Sequence, residues 1–253
     1  MLKKLLCLLY FPAVVLASPS EYAEKLAKDV YQSARLQGVL DYSLLEEGVD
    51  AYLSHGSGAN HHLVLIDFNR PSYQRRFYVI DLLEKKLKYH TFTTHGIESG
   101  GAFATKFSNT VNSRQTSLGV YKTAETYYGK YGYSLRLDGL SEGVNDNARR
   151  RHIVIHGANY ASPDFLKNNN FIGWSWGCPA LPPEKNREII DVIKGGSIIL
   201  ASRYTQGRQL PLATAKLDAT HLAGNKPNEH QSQLAAQPLS AGEMLARVEP
   251  DSL

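Results

Sequence analysis

Cysteine is scarce in this chain, whose 253 residues include only Cys7 and Cys178. So few cysteines do not make a disulfide framework, and a chain of this length can bury a large core without one. Neither a CxxC nor an HExxH motif is present, and a lone cysteine with scattered histidines is a weak set of zinc ligands. Phosphate-binding and dinucleotide-binding glycine patterns are also missing, so the sequence predicts no metal and no other cofactor.

Long apolar runs are missing except at the N-terminus. Residues 5–16 form an apolar run of about twelve, preceded by two lysines, and a run this short does not span a bilayer core of ~30 Å. Small side chains at Val15 and Ala17 fit a cleavage site before Ser18. Residues 1–17 are therefore predicted to be a signal peptide, with an uncleaved anchor as the alternative. We expect the mature protein to be exported, to the periplasm or the cell envelope, without stable membrane insertion.

Neither charge sign is in large excess. The formal net charge of +4 falls to +2 (4 − 2) when the two lysines of the signal peptide are removed. A nearly neutral chain gives little electrostatic reason to expect a nucleic-acid partner. The three arginines at 149–151 are a local basic run, which we interpret as a solvated entrance to a strand. The sequence leaves the oligomeric state open.

Signal cleavage would leave Cys178 as the only cysteine. Exported proteins usually carry cysteines in pairs, because an oxidising compartment joins them. A single thiol indicates a reactive group or an intermolecular bond, and the alternative is an inert buried cysteine.

Helical periodicity follows the predicted cleavage site. Apolar residues recur at three- and four-residue spacing over residues 22–34, and Ser20 is the predicted cap. Gly38 interrupts this pattern, and a second helix is predicted over residues 44–52. Residues 18–58 are thus predicted to form an N-terminal helical segment.

The rest of the ordered chain is predicted to be mainly β with flanking helices, because short runs of β-branched and aromatic residues alternate with turn residues. The predicted strands lie at 63–68, 76–81, 87–94, 118–123, 135–137, 152–155 and 197–202, the first three as an antiparallel meander. A helix is predicted from the prolines at 182–183 to the glycines at 195–196. Four stretches are predicted to be loops or turns: 95–117, the tyrosine-rich 127–133, 138–147, and the polar residues after His156. The alternative for the tyrosine-rich stretch is that it lines a groove. Aromatic residues end at Tyr204, so residues 205–253 are predicted to be a low-complexity, mostly disordered tail.

The stretch around the second cysteine carries the chemistry. His156 ends a strand pattern and is followed by Gly157, whose carbonyl can accept the proton on the far ring nitrogen. Cys178 comes 22 residues later (178 − 156), after a polar loop. A nearby imidazolium lowers the pKa of a thiol, and a cysteine nucleophile needs such a histidine oriented by a third group. The sequence therefore favours a nucleophile–base pair of Cys178 and His156.

The residues just before the cysteine fit an oxyanion-binding turn. Gly177 allows the backbone to approach a substrate carbonyl closely, and the amides of Gly177 and Cys178 can both face a developing oxyanion. Ser175 is predicted to support the turn or to hydrogen-bond the substrate. Trp176 lies between them and is assigned with them to substrate binding.

Two other histidines compete with His156 for the role of base. His95 stands beside a glycine at the start of a loop. His152 precedes His156 by four residues, so a strand at 152–155 would place both side chains on the same face.

Together these motifs resemble the YkuD-type L,D-transpeptidases, and most of all the branch known as murein L,D-transpeptidase catalytic domain family proteins. The resemblance covers about residues 63–201. It rests on His156-Gly157, on Ser175-Trp176-Gly177-Cys178, and on the segments FSN at 107–109, TSLGVY at 116–121, SLRLDGL at 134–140, NDNA at 145–148 and IVIHGA at 153–158.

The resemblance implies a β-sandwich catalytic domain over residues 59–204 with the cysteine at a cleft. It also implies acyl transfer on the tetrapeptide stems of peptidoglycan. The cysteine attacks the diaminopimelate carbonyl, D-alanine leaves, and an amine of another stem resolves the thioester into a 3-3 cross-link. Carried over position by position, Cys178 is the nucleophile, His156 the base and Gly157 the orienting residue.

This sequence departs from the broader family where the substrate carboxylate is held. The family has Arg or Asn within two residues after the cysteine, whereas Pro179 and Ala180 stand here. The carboxylate-binding residue is therefore left open between Arg114, Arg136 and Arg151.

Two other functions remain open from the sequence. The same site would serve an L,D-carboxypeptidase if water resolved the thioester. A non-catalytic wall-binding domain would keep the fold without using the thiol.

Overall fold

The computed structural model describes residues 18–56 and 60–203. The predicted signal peptide and the predicted low-complexity tail lie outside the described residues. Within the described part, no helix has both the length and the apolar character needed to cross a bilayer.

Two helices precede the sheet, as the periodicity predicts: α1 (Pro19–Ser33) and α2 (Tyr42–His55). Ser18, not the predicted Ser20, caps α1. The Ser18 Oγ accepts from the amide of Glu21, and the Glu21 carboxylate accepts from the amide of Ser18 at 2.7 Å. This reciprocal pair of hydrogen bonds gives both amides an acceptor. The Glu21 amide would otherwise have none, because it lies in the first turn of the helix. Gly38, with φ +72°, lies in the turn between the helices, which confirms the predicted interruption.

Among the described residues, eight strands form one mixed sheet, so the predicted mainly β fold with flanking helices is confirmed. The strands are β1 (His62–Asp67), β2 (Phe77–Asp81), β3 (Lys86–Thr91), β4 (Gly119–Gly129), β5 (Gly132–Gly139), β6 (Val154–Gly157), β7 (Ala180–Leu181) and β8 (Ile198–Ser202). Their order in the sheet is β3-β2-β1-β8-β4-β5-β6-β7. The pairs β1–β8 and β6–β7 are parallel, and the predicted meander of β1, β2 and β3 is antiparallel.

The two ends of this sheet order meet in space. Just after β3, the Thr93 hydroxyl and the Thr94 amide both donate to the carbonyl of Ala180 in β7, at 3.1 and 3.2 Å. The sheet therefore curls around one core, in which side chains of β2 and β6 share a cluster with α4 (Pro183–Ile193). The isoleucines of α4 that enter this core are Ile189, Ile190 and Ile193, which confirms the predicted helix.

The opposite face of the sheet is covered by α1 and α2. Along β1, Val64 and Ile66 point into the α4 core, whereas Leu63 and Leu65 point into the second core, as the two-residue period of a strand requires. Gly48 allows α2 to lie close to the sheet, because a Cβ there would be 2.4 Å from the Leu65 side chain. The helical segment is thus packed onto the strands that carry the rest of the fold.

Several elements differ from the sequence predictions, among them β7, a two-residue strand that was not predicted. The tyrosine-rich residues 127–133 are not only a turn, since β4 and β5 run through them to a hairpin with Gly132 at φ +72°. The polar loop after His156 contains a short helix, α3 (Pro163–Asn169), capped by Ser162. The strand predicted from 152 begins at Val154, because His152 has a left-handed φ of 54° that a strand does not accommodate.

Candidate active site

Cys178 lies in the turn that leads into β7. Its residue is partly exposed, and its Sγ donates to the carbonyl of His152 at 3.6 Å. Burial raises the pKa of the thiol to about 11, and this effect outweighs the amide of Val154 and the charge of Arg151, which both lower it. The raised pKa favours the protonated thiol in the resting site over the thiolate that a neighbouring imidazolium would stabilise.

His156 lies in β6, which pairs in parallel with β7. The register places His156 opposite Ala180, two residues after Cys178. The His156 Nδ1 is 3.1 Å from the carbonyl of Gly157, and a carbonyl only accepts, so Nδ1 carries the ring proton. The imidazole is 2% exposed. The structure therefore brings the predicted base onto the strand next to the predicted nucleophile, with the predicted orienting carbonyl in contact.

Gly157 also has a packing role. A Cβ at Gly157 would be 3.2 Å from the side chain of Asn186 in α4. Asn186 donates to the carbonyl of Tyr133 at 2.7 Å, so α4 and β5 are joined directly behind the histidine.

Tyr131, one of the residues of the tyrosine-rich stretch, covers the ring of His156. The two rings are stacked, with 4.5 Å between their centroids and 26° between their planes. Tyr131 lies at the tip of the β4–β5 hairpin, so its contact with His156 depends on long-range strand pairing. The only signal in the sequence was the tyrosine-rich composition of residues 127–133.

Ser175 holds the turn before the cysteine. Its hydroxyl donates to the carbonyl of Cys178 at 2.6 Å and accepts from the amide of Gly177 at 3.1 Å. Ser175 is 4% exposed, so turn support, one of its two predicted roles, is the one that the geometry provides. The Gly177 amide is thus occupied within the turn.

Backbone conformation and limited space both require a glycine at position 177. Its φ of +121° lies in a region that side chains disfavour, and a Cβ would be 2.7 Å from the carbonyl of Gln115. Trp176 precedes it and is 48% exposed, with the guanidinium of Arg114 4.4 Å from the centroid of its ring. The indole therefore forms part of the surface beside the cysteine.

His95 is a buried structural residue. Its Nδ1 is 2.7 Å from the guanidinium of Arg76, and its Nε2 is 3.2 Å from the carbonyl of Gly100. Burial, together with the charge of Arg76, lowers the pKa of His95 to about 3. An imidazole held neutral between a cation and a carbonyl is a poor base. The surroundings of His95 therefore favour a structural role over that of a general base.

His152 contributes its backbone rather than its ring. Its side chain is exposed, and its carbonyl accepts from the thiol of Cys178. The expectation that His152 and His156 share a strand face is wrong, because β6 begins after His152.

The three arginines considered for the substrate carboxylate have different surroundings. Arg151 is half-buried and donates to the carbonyls of Ser108 and Gln115, so it holds the 96–117 loop beside the turn. Arg136 forms an ion pair with Glu125 at 3.2 Å. Within residues 18–56 and 60–203, Arg114 forms no ion pair, and its guanidinium lies over the exposed face of Trp176.

These features define a turn that holds a thiol next to β6, the strand that carries a buried imidazole of fixed tautomer. The chain belongs to the L,D-transpeptidase catalytic domain family, whose sequence model matches residues 36–202. No curated protein is significantly similar to the chain.

Several solved L,D-transpeptidases are similar in structure. One from Mycobacterium smegmatis is 14% identical with a TM-score of 0.35, over 56% of this chain and 58% of that chain. One from Stackebrandtia nassauensis is 13% identical with a TM-score of 0.33, over 72% and 91%. One from Enterococcus faecium is 15% identical with a TM-score of 0.31, over 55% and 48%. The chain thus spans less than two thirds of the first of these.

Proposed function

We propose that this protein is an exported cysteine acyl-transferase, an L,D-transpeptidase that acts on the tetrapeptide stems of peptidoglycan in the periplasm or cell envelope. The observation that carries the proposal is the register of β6 and β7, which pairs His156 with Ala180. Cys178 lies two residues before Ala180, and the amide of Val154, two residues before His156 in β6, hydrogen-bonds its thiol. The register therefore places the turn of Cys178 next to the strand that carries His156.

The proton on Nδ1, held by Gly157, leaves the Nε2 lone pair of His156 as the base. Because the resting thiol is protonated, its proton passes to Nε2 as Sγ attacks the diaminopimelate carbonyl. The imidazolium then protonates the leaving nitrogen, D-alanine departs, and a thioester remains on Cys178. An amine of a second stem attacks this thioester, its proton passes to His156, and the free thiol is restored with a 3-3 cross-link.

The amide of Cys178 is the proposed oxyanion donor, since the Gly177 amide is bonded to Ser175. Arg114 is the proposed ligand for the substrate carboxylate. Its guanidinium lies against Trp176, near the cysteine, whereas the guanidinium groups of Arg136 and Arg151 are bonded to Glu125 and to loop carbonyls.

Mass spectrometry of the intact protein after incubation with a disaccharide-tetrapeptide tests the proposal. We expect an acyl adduct on Cys178 and free D-alanine, with neither product from Cys178→Ala. Cys178→Ala is a fair control because it removes the thiol and leaves a smaller apolar side chain at a partly exposed position. Absence of both the adduct and D-alanine with the wild-type protein would refute the proposal and favour a wall-binding domain.

The fate of the thioester decides between transpeptidase and carboxypeptidase. A second stem peptide added to the reaction yields cross-linked dimers if an amine is the acceptor. Tripeptide alone would instead assign the L,D-carboxypeptidase activity to the same site.

A further inference from the structure

A cluster of metal-binding side chains lies away from Cys178, where β1 begins and β2 ends. His61, His62 and Asp81 each offer one ligand atom, and these atoms lie within 4.8 Å of one another. The strand register pairs His62 directly with Asp81, and the ring of His61 stacks on that of His62 with 4.7 Å between centroids. The cluster was not predicted because it joins residues far apart in sequence across a strand pair.

The carboxylate of Asp81 is oriented by the backbone. Its Oδ1 accepts from the amides of Leu83 and Glu84 at 3.0 and 2.8 Å. Its Oδ2 therefore faces the two histidines, with 3.5 Å to Nε2 of His61 and 3.6 Å to Nε2 of His62. The Asp81 side chain is only 3% exposed, so this oxygen has little access to solvent.

The contact made by Nδ1 of His62 fixes the tautomer of its ring. Asn60 donates through Nδ2 to the carbonyls of Val192 and Lys194, which leaves its Oδ1 as an acceptor. The His62 Nδ1 is 2.7 Å from this oxygen and so carries a proton. Metal-binding histidines commonly donate their second N–H to a carbonyl in this way, which leaves Nε2 to coordinate.

The distances to Asp81 fit a shared cation better than hydrogen bonds. A separation of 3.5–3.6 Å between nitrogen and oxygen is long for a hydrogen bond. Two ligands at about 2.1 Å from a tetrahedral zinc lie about 3.4 Å apart. Two imidazoles and one carboxylate are a ligand set that zinc and related divalent metals accept.

We propose that His61, His62 and Asp81 bind one divalent transition-metal ion of the zinc type. The ligand atoms are the Nε2 atoms of both histidines and Oδ2 of Asp81. The His61 side chain is 43% exposed, so the fourth position faces solvent. The ion would join the start of β1 to the end of β2 and, through Asn60, to the end of α4, and would therefore stabilise the fold.

Zinc binding by the untagged full-length protein tests this site. Isothermal titration with ZnCl2 is carried out on Cys178→Ser in which Cys7 is also replaced by serine, so that neither thiol competes for the metal. We expect one equivalent to be lost, or its affinity to fall at least tenfold, in His61→Ala and in His62→Ala on this background. His55→Ala, which removes an exposed histidine at the end of α2, is the matched control and should keep that equivalent.

A thermal scan provides a second readout. Zinc should raise the Tm of Cys178→Ser and of the His55→Ala control, and this shift should be lost in His61→Ala. His61→Ala removes a partly exposed side chain, so its fold should persist without metal. Equal zinc binding by all four proteins, or no zinc binding by any of them, would overturn the proposal.

Discussion

His95 and His156 are equally buried, at 1% and 2% exposure, but their surroundings differ. His95 lies between the guanidinium of Arg76 and the carbonyl of Gly100, so each ring nitrogen has a fixed partner in the core. His156 is oriented by the carbonyl of Gly157, its face is covered by Tyr131, and its strand pairs with β7, which follows the turn of Cys178. Burial therefore does not distinguish the two, whereas their neighbours do: a guanidinium lies beside the ring of His95, and the ring of Tyr131 lies over that of His156.

The largest expected effect is a loss of catalytic activity when His156 is replaced. His156→Gln should lower kcat/KM for D-alanine release about 10²- to 10⁴-fold, because the general base is lost. Circular dichroism should remain that of the wild type. His152→Asn is the matched control, since it changes an exposed ring, keeps the carbonyl that the thiol contacts and tolerates a left-handed φ. Equal losses in the two variants would mean that His156 is not the base.

The second-largest expected effect is on stability and concerns the surroundings of His95. Arg76→Met should lower the free energy of unfolding by about 3 kcal/mol, because it leaves the carbonyls of Arg70 and Thr93 and the ring of His95 without their donor. Urea denaturation measures the loss. Arg75→Met, which changes an exposed neighbour, should cost less than 1 kcal/mol. Unchanged stability in Arg76→Met would show that His95 is not held in the way described.

The same contrast applies to the arginines near the turn. Arg114→Gln should raise KM about 10- to 100-fold with a smaller change in kcat, because one charge-assisted contact to a carboxylate is lost. Arg136→Gln is the control, since Arg136 is paired with Glu125. Steady-state D-alanine release over a range of stem peptide concentrations gives both constants. A larger KM effect in Arg136→Gln would transfer the carboxylate-binding role to that residue.

Much of the fold was predictable because its signals are local. The apolar periodicity of α1, α2 and α4 and the short β-branched strands report the elements directly. Helix α3 was missed because it buries no residue and is mostly polar, so it has no amphipathic pattern to detect. The start of β6 was placed too early because an apolar run gives no sign that His152 has a positive φ.

The candidate site was predictable only in part, because several of its contacts join segments that are distant in sequence. The residues of the turn and the His-Gly pair are contiguous motifs, so they can be proposed from the sequence. The clamp of Arg151 on the 96–117 loop, the cover of Tyr131 on His156 and the occupied amide of Gly177 all depend on contacts between distant segments. The raised pKa of Cys178 is likewise a product of burial, which a list of neighbouring residue types does not contain.

The smallest expected effect concerns the pH dependence of stability through His95. Its pKa is lowered from 6.5 to about 3 in the folded protein, so its contribution to stability is complete above 6.5 and is lost as the pH falls toward 3. Between pH 7 and 5.5 this one residue should account for about 1 kcal/mol of the decrease in unfolding free energy. His95→Gln should remove that part of the slope in urea titrations at the two pH values, whereas His55→Gln, which changes an exposed histidine, should not. An unchanged slope in His95→Gln would mean that His95 also takes up a proton in the folded state, and the contrast with His156 would then lose its physical basis.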